Sequence, residues 1–247
     1  MRALSHLRRV TALGAWVVLV GCASGPLAQA NDPLEPFNRK VYAFNEQLDD
    51  AVAKPVATAY RDVVPSPVRT GVSNFFGNLG DLWSSFNALL QAKGEESVTN
   101  FMRFTVNSTL GLYGLLDIAS EMRMQRTSHS LGETLGVWGV PNGPYLVLPV
   151  FGPSTVRNTG AAIASGAIVD EDQRVKWLHV NESSTPLNML NITHDRTQTS
   201  LGLLGAVNQR ANLLGVTDAL GGLALDPYAF VRDAYLQREN NKIKQNQ

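Results

Sequence analysis

The residue types that could make or break bonds are few in this chain and poorly spaced for it. Ser128 and Ser130 flank His129, so a nucleophile and a base are sequence neighbours. A catalytic triad is assembled by folding rather than by adjacency, and an ordinary polar loop is the simpler reading. Asp49-Asp50 and Glu95-Glu96 are paired carboxylates, and they fit solvated helix ends better than an acid/base dyad. No GxxxxGK[ST] phosphate loop and no GxSxG elbow occurs, which removes the usual nucleotide-driven and serine-hydrolase chemistries. His6, His129, His179 and His194 are too scattered for helical metal ligands, and a single cysteine excludes a thiolate-rich metal site and an internal disulfide. Asn107-Ser108-Thr109 and Asn191-Ile192-Thr193 match a glycosylation pattern by chance. The expectation is a protein without bond-making chemistry, metal or cofactor.

The cysteine, Cys22, is better explained by an address. Arg2, Arg8 and Arg9 precede an apolar run from Val10 to Val20, too short to span a bilayer, which needs roughly 20 residues. The run ends Leu19-Val20-Gly21-Cys22, which resembles the lipobox of bacterial lipoproteins. That resemblance implies removal of residues 1–21, acylation of Cys22 and a short linker over 22–31. A single acyl chain binds membranes reversibly, whereas two or more hold stably. Ala23, where an aspartate would favour inner-membrane retention, points to the outer membrane. The 21 basic and 21 acidic residues balance over the whole chain, but without the leader 18 basic groups face 21 acidic ones. A faintly acidic chain lacks the basic face that nucleic-acid binding requires.

Apolar spacing gives the elements. Asp32-Pro33 reads as an N-cap and first-turn proline, followed by a helix face of Phe37, Val41, Phe44 and Leu48. Pro55, Pro65 and Pro67 should break the next stretch into short pieces. Phe75, Phe76, Leu79, Leu82, Trp83, Phe86, Leu89 and Leu90 form an unslipped helical stripe, with Asn74, Asn78, Asp81 and Ser85 on the opposite side and Gly94 as the stop. A second helix is expected over Glu96–Ile118. Residues 137–140 and 145–149 read as two short strands around a Pro141-Asn142-Gly143-Pro144 turn. After a soft stretch rich in small residues from Gly160, residues 201–214 suggest a modest amphipathic helix. Asp226-Pro227 opens a last one, and the chain from Gln237 should fray. The fold class is mainly α, a single domain over 32–238 with one short β-hairpin, and a polar tail over 239–247.

The motifs in order are more specific than any one of them. Asp32-Pro33-Leu34-Glu35-Pro36-Phe37-Asn38-Arg39 resembles the opening of the MlaA (VacJ) family of outer-membrane lipoproteins. So do Tyr60-Arg61-Asp62-Val63-Val64-Pro65, Ser73-Asn74-Phe75, Arg103-Phe104 and Leu110-Gly111. Thr134-Leu135-Gly136, Gly143-Pro144-Tyr145, Gly152-Pro153-Ser154 with Arg157, and Asp226-Pro227-Tyr228 with Arg232 continue the likeness. About residues 165–200 do not resemble the family clearly.

The resemblance implies amphipathic helices arranged as a ring around a central channel in the periplasmic leaflet. Such a protein takes misplaced phospholipids from the outer leaflet, passes them to a soluble periplasmic carrier such as MlaC, and associates with a trimeric porin. Phe75, Phe76, Leu79, Trp83 and Phe86 then become a candidate lipid-facing belt, although by spacing alone the stripe is ordinary core. Arg103, Asp117 and Arg157 become candidates to line the channel or meet headgroups, with structural ion pairing the simpler role for each. Pro141, Asn142, Gly143 and Pro144 become a candidate gating hairpin, with a structural turn as the alternative. A structural porin-associated lipoprotein without transport activity, and a periplasmic lipid hydrolase, are the rival functions.

Overall fold

The computed structural model describes residues 32–165, 195–220 and 225–244. The leader, Cys22, the linker, the second glycosylation-like triplet and residues 166–194 lie outside the described residues. Helix α1 is Glu35–Leu48, opened by Pro36. Asp32 is not its cap: the carboxylate is fully buried and taken by Asn38 and the Tyr228 hydroxyl instead. A π-helical turn, Asp49–Ala53, carries α1 directly into α2, Lys54–Val63. Pro55 therefore does not break the helix as expected. It lacks the N–H an α-helical ladder needs, and the wider π turn immediately before it absorbs the mismatch. Val64 is extended before Pro65, which does end the rod.

Helix α3 runs Ser66–Leu90, beginning with Pro67 in its first turn, nine residues before the periodic stripe suggested. It stops at Ala92 rather than at Gly94. Lys93 N–H bonds the Ala88 carbonyl at 2.9 Å and Ala92 N–H the Leu89 carbonyl at 3.0 Å. Ala92 stands at φ 60°, so a non-glycine residue occupies the left-handed position of a Schellman cap. Gly94 instead opens α4, Gly94–Thr109, which packs antiparallel along α3. The long second helix expected to reach residue 118 is cut at Thr109, because Leu112, Tyr113 and Gly114 all take positive φ. Helix α5, Ile118–Glu121, follows, capped by Asp117.

Helix α6, Leu131–Val137, starts with a Ser130/Glu133 capping box; of the expected first strand it takes Val137, and Trp138 and Gly139 form a turn. The hairpin exists, but one step further along. β1, Tyr145–Leu148, pairs antiparallel with β2, Gly152–Thr155, in the register Tyr145↔Thr155 to Leu148↔Gly152. Its reversal falls at residues 149–151, with Val150 and Gly152 at positive φ. Helix α7 is Val156–Ala164, α8 is Asp195–Leu220 and α9 is Pro227–Lys244. Asp226 caps α9 through the Ala229 N–H. The C-terminal stretch expected to fray is helical to Lys244, held by Glu239 and Asn240 against Asn158 and Asn142.

These elements close a circuit. The α1–α2 rod packs on α8 through α2, α8 on α3, α3 on α6, α6 on α9, α9 on β2, and β1 back on α1. Two small apolar clusters pin it. Ala57, Ala211 and Leu214 join α2 to α8, and Tyr145, Val147 and Tyr228 join the hairpin to α9, with Val41 and Tyr42 of α1 against them.

Candidate functional site

Burial in this molecule runs against the usual order. Among the described residues, 22 polar or charged residues are buried against 11 hydrophobic ones, five of which are alanines. The largest fully buried side chains include Arg103, Glu133, Glu239 and the asparagines 38, 78, 87, 100 and 107. Phe37, Phe44, Leu89, Phe101, Leu112 and Trp138 stand among the exposed hydrophobics. In water-soluble domains charged groups are almost never fully buried and extended apolar patches are rare. The α1 stripe shows the inversion in miniature: Phe37 and Phe44 face out, while Glu35 and Asn38 face in.

The α3–α4 hairpin carries it furthest. Between Arg69 and Lys93 the sole charged residue is Asp81, and between Glu96 and Asp117 it is Arg103. Both are buried, and they pair with each other at 3.2 Å. The surface of this hairpin is therefore free of charge between those end points. The α4–α5 loop projects Leu110, Leu112 and Tyr113, the last 83% exposed, and Leu112 and Tyr113 stand on a strained left-handed backbone. Gly114 is required there, since a Cβ would stand 2.6 Å from Asn78 Nδ2 at a φ of +90°. Among the described residues no helix is long and apolar enough to cross a membrane.

The expected belt residues separate. Phe86 is 44% exposed, Phe75, Phe76 and Trp83 are half-buried, and Leu79 is buried. Phe75 and Phe76 meet edge to face at 5.3 Å, and Phe76 lies against Gly205 of α8. The polar side of α3, opposite the stripe, faces inward: Asn78 bonds Ser108, Asp81 bonds two arginines, and buried Ser85 bonds the Leu82 carbonyl.

Arg103 and Asp117 come together. Arg103 donates to Asp81, Asp117, Ser120 and the Met124 carbonyl and has no exposed surface. Burial pushes the Asp81 carboxyl up despite the opposing hydrogen bonds and charges of Arg126 and Arg103. Burial would raise Asp117 as well, but bonds from Ser120 and Asn107 and the Arg103 charge outweigh it and hold Asp117 at about 2. Arg157 lies elsewhere, buried between α7 and α9, with Nη1 on the Val140 carbonyl and Nη2 3.6 Å from Glu239. Burial lowers its pKa, with Glu239 opposing. Gly136 leaves the space its Nη1 occupies.

Residues 141–144 are not the turn of the hairpin but the strap leading into it. The carbonyls of Asn142 and Pro144 accept from Arg157 and Val156 N–H, and the Asn142 side chain donates to Asn240. His129 is buried and bonded to Glu96 at 2.6 Å, while Ser130 serves as a helix cap. Sequence reading missed Arg126, Glu133 and Glu239. Asp81 and Arg103 carried a usable signal, each being alone in a long uncharged stretch of helix.

The MlaA lipoprotein family model matches residues 30–242. The intermembrane phospholipid transport system lipoprotein MlaA of Escherichia coli K12 is 39% identical over 235 residues, covering 93% of this chain and 85% of that one. The MlaA lipoprotein of Haemophilus influenzae is 31% identical over 241 residues, covering 95% and 89%. A chain solved in work on the structural basis for maintenance of bacterial outer membrane lipid asymmetry superposes with a TM-score of 0.68 at 34% identity. It covers 86% of this chain and 98% of that one. Sequence and architecture agree over nearly the whole length, and the chain belongs to the MlaA lipoprotein family.

Proposed function

We propose that this protein is a lipid-anchored component of phospholipid transport at the outer membrane. It removes phospholipids misplaced in the outer leaflet and hands them to a soluble periplasmic carrier, so that lipid asymmetry is maintained. The observation that carries the reading is the inverted burial: an apolar exterior suits a ring seated among acyl chains, and a polar interior suits passage of a headgroup. The named relatives, in E. coli and H. influenzae, belong to an intermembrane phospholipid transport system.

In this reading acylated Cys22 tethers the chain to the periplasmic leaflet, and Phe86 with the outward faces of α1 and α4 forms the belt. Arg103, Asp117 and Arg157 keep the polar interior in shape around the lipid path. Residues 141–144 and the following hairpin are the candidate gate, and a trimeric porin is the expected companion in the membrane.

The test is lipid content and lipid position together. The lipoprotein purified from membranes in mild detergent should carry phospholipid, detected by mass spectrometry. A strain lacking it should accumulate phospholipid in the outer leaflet and recover when the gene is restored. A protein free of lipid whose loss leaves outer-leaflet composition unchanged would instead be a structural envelope lipoprotein.

A further inference from the structure

Arg103 and Arg126 share one carboxylate, and only Arg126 has a donor edge left over. Arg103 is fully buried, and all three of its nitrogens donate within the chain. Arg126 is 37% exposed. Its Nε and Nη2 bond the two Asp81 oxygens side-on at 2.7 and 3.0 Å, and Asp117 stands 3.7 Å from Nη2. Among the described residues Nη1 has no hydrogen-bond partner, so the end-on edge of the fork is open. Gly77 allows this placement: a Cβ there would lie 2.7 Å from Nη1 and 3.1 Å from Cζ, and any side chain would displace the guanidinium from the α3 backbone.

We propose that the open edge of Arg126 receives the phosphodiester of a phospholipid headgroup, while Asp81 holds the opposite edge. The proposal rests on the transport reading and names the polar contact that reading needs. A guanidinium presents two donor edges in fixed geometry, and an oxyanion fits an edge in bidentate fashion. Bracing by Asp81 removes the rotamer freedom that binding would otherwise cost. Asp81 and Asp117 balance Arg103 and Arg126, so an arriving monoanion meets no net repulsion. Along the sequence of α3 and its C-terminal end no cation lies between Arg69 and Lys93, and Arg126 brings a partly exposed one to Asp81 at its middle.

The experiment uses the full acylated protein in detergent and compares dihexanoylphosphatidylethanolamine with dihexanoylglycerol, which lacks the phosphate. Wild type should prefer the phosphate-bearing ligand by about tenfold or more, the range of a bidentate charge-assisted contact. R126Q should bring the two affinities together by weakening the phospholipid and leaving the diacylglycerol unchanged. G77A keeps the charge and moves it, and should act in the same direction, while G71A, whose Cβ meets only ordinary contacts, should not. G77A decides the question if R126Q loses its helical circular dichroism. An unchanged preference in folded R126Q or G77A overturns the headgroup site and leaves transport standing. A wild type that binds neither ligand overturns both. Displacement by millimolar inorganic phosphate would reassign the edge to a free anion and overturn the lipid assignment.

Discussion

Asp117 is the residue whose ionisation most clearly supports the fold. Its carboxyl is depressed from 3.8 to about 2 in the folded protein. The stability it contributes is therefore fully present above pH 3.8 and is lost as pH falls from there through about 2. D117N should lose roughly 2 kcal/mol near neutrality, an order-of-magnitude figure from the size of that shift. Its melting temperature should also fall less steeply between pH 4 and 2 than that of wild type, read by thermal circular dichroism in detergent. Equal acid slopes in the two proteins would place the depression elsewhere. Arg103 makes the complementary case. R103A leaves Asp81 buried without its partner from α4, and the expected cost is about 3–5 kcal/mol, against near-neutral effects at exposed cations. Chemical denaturation in mild detergent measures it.

At the scale of elements, the turn positions carry the most legible strain. Ala92 closes α3 in the left-handed region that costs an L-residue about 1–2 kcal/mol. Glycine removes that cost but adds unfolded-state entropy, so A92G should stabilise by about 0.5–1 kcal/mol, seen as a raised melting temperature. G114A should do the reverse by about 1–3 kcal/mol, because the new Cβ meets Asn78 at 2.6 Å with φ at +90°. A G114A protein as stable as wild type would show that the α4–α5 loop relaxes freely and stores no strain. The π turn at residues 49–53 belongs to the same scale. It keeps α1 and α2 continuous across Pro55, which gives one side of the circuit a single rod instead of two hinged pieces.

For the whole molecule the decisive feature is which side of each helix faces out. Phe86 and Leu79 lie on the same sequence stripe but differ in exposure, so charge placed at each should fail differently. F86D should keep its helicity and weaken membrane association, whereas L79D should lose helicity through burial of an unpaired carboxylate. Sedimentation with vesicles and far-ultraviolet circular dichroism separate the outcomes, and identical behaviour of both variants would mean the belt is misplaced. Cys22→Ser should abolish incorporation of radioactive fatty acid, and equal labelling of wild type and variant would dismiss the lipobox.

The sequence alone determined the start of α9 at Asp226-Pro227, the helical period of α3 and the presence of one hairpin. These are local: they follow from ring-locked φ angles, side-chain spacing and a short motif, and need no partner across the fold. The ordered family motifs added the architecture and the transport reading. Helix ends were less legible, because Ala92, Leu112 and Tyr113 stand in the left-handed region, which their side-chain types do not favour and so do not announce. The polarity of the interior was not legible at all. Periodicity reports that a helix has two unlike faces, but not whether water or hydrocarbon lies outside. Only the tertiary structure, by turning Asp81 and Arg103 toward each other and Phe86 and Phe101 away, decided which face is which. Arg126 became visible the same way, since Asp81 lies 45 residues before it and Gly77 a further turn away.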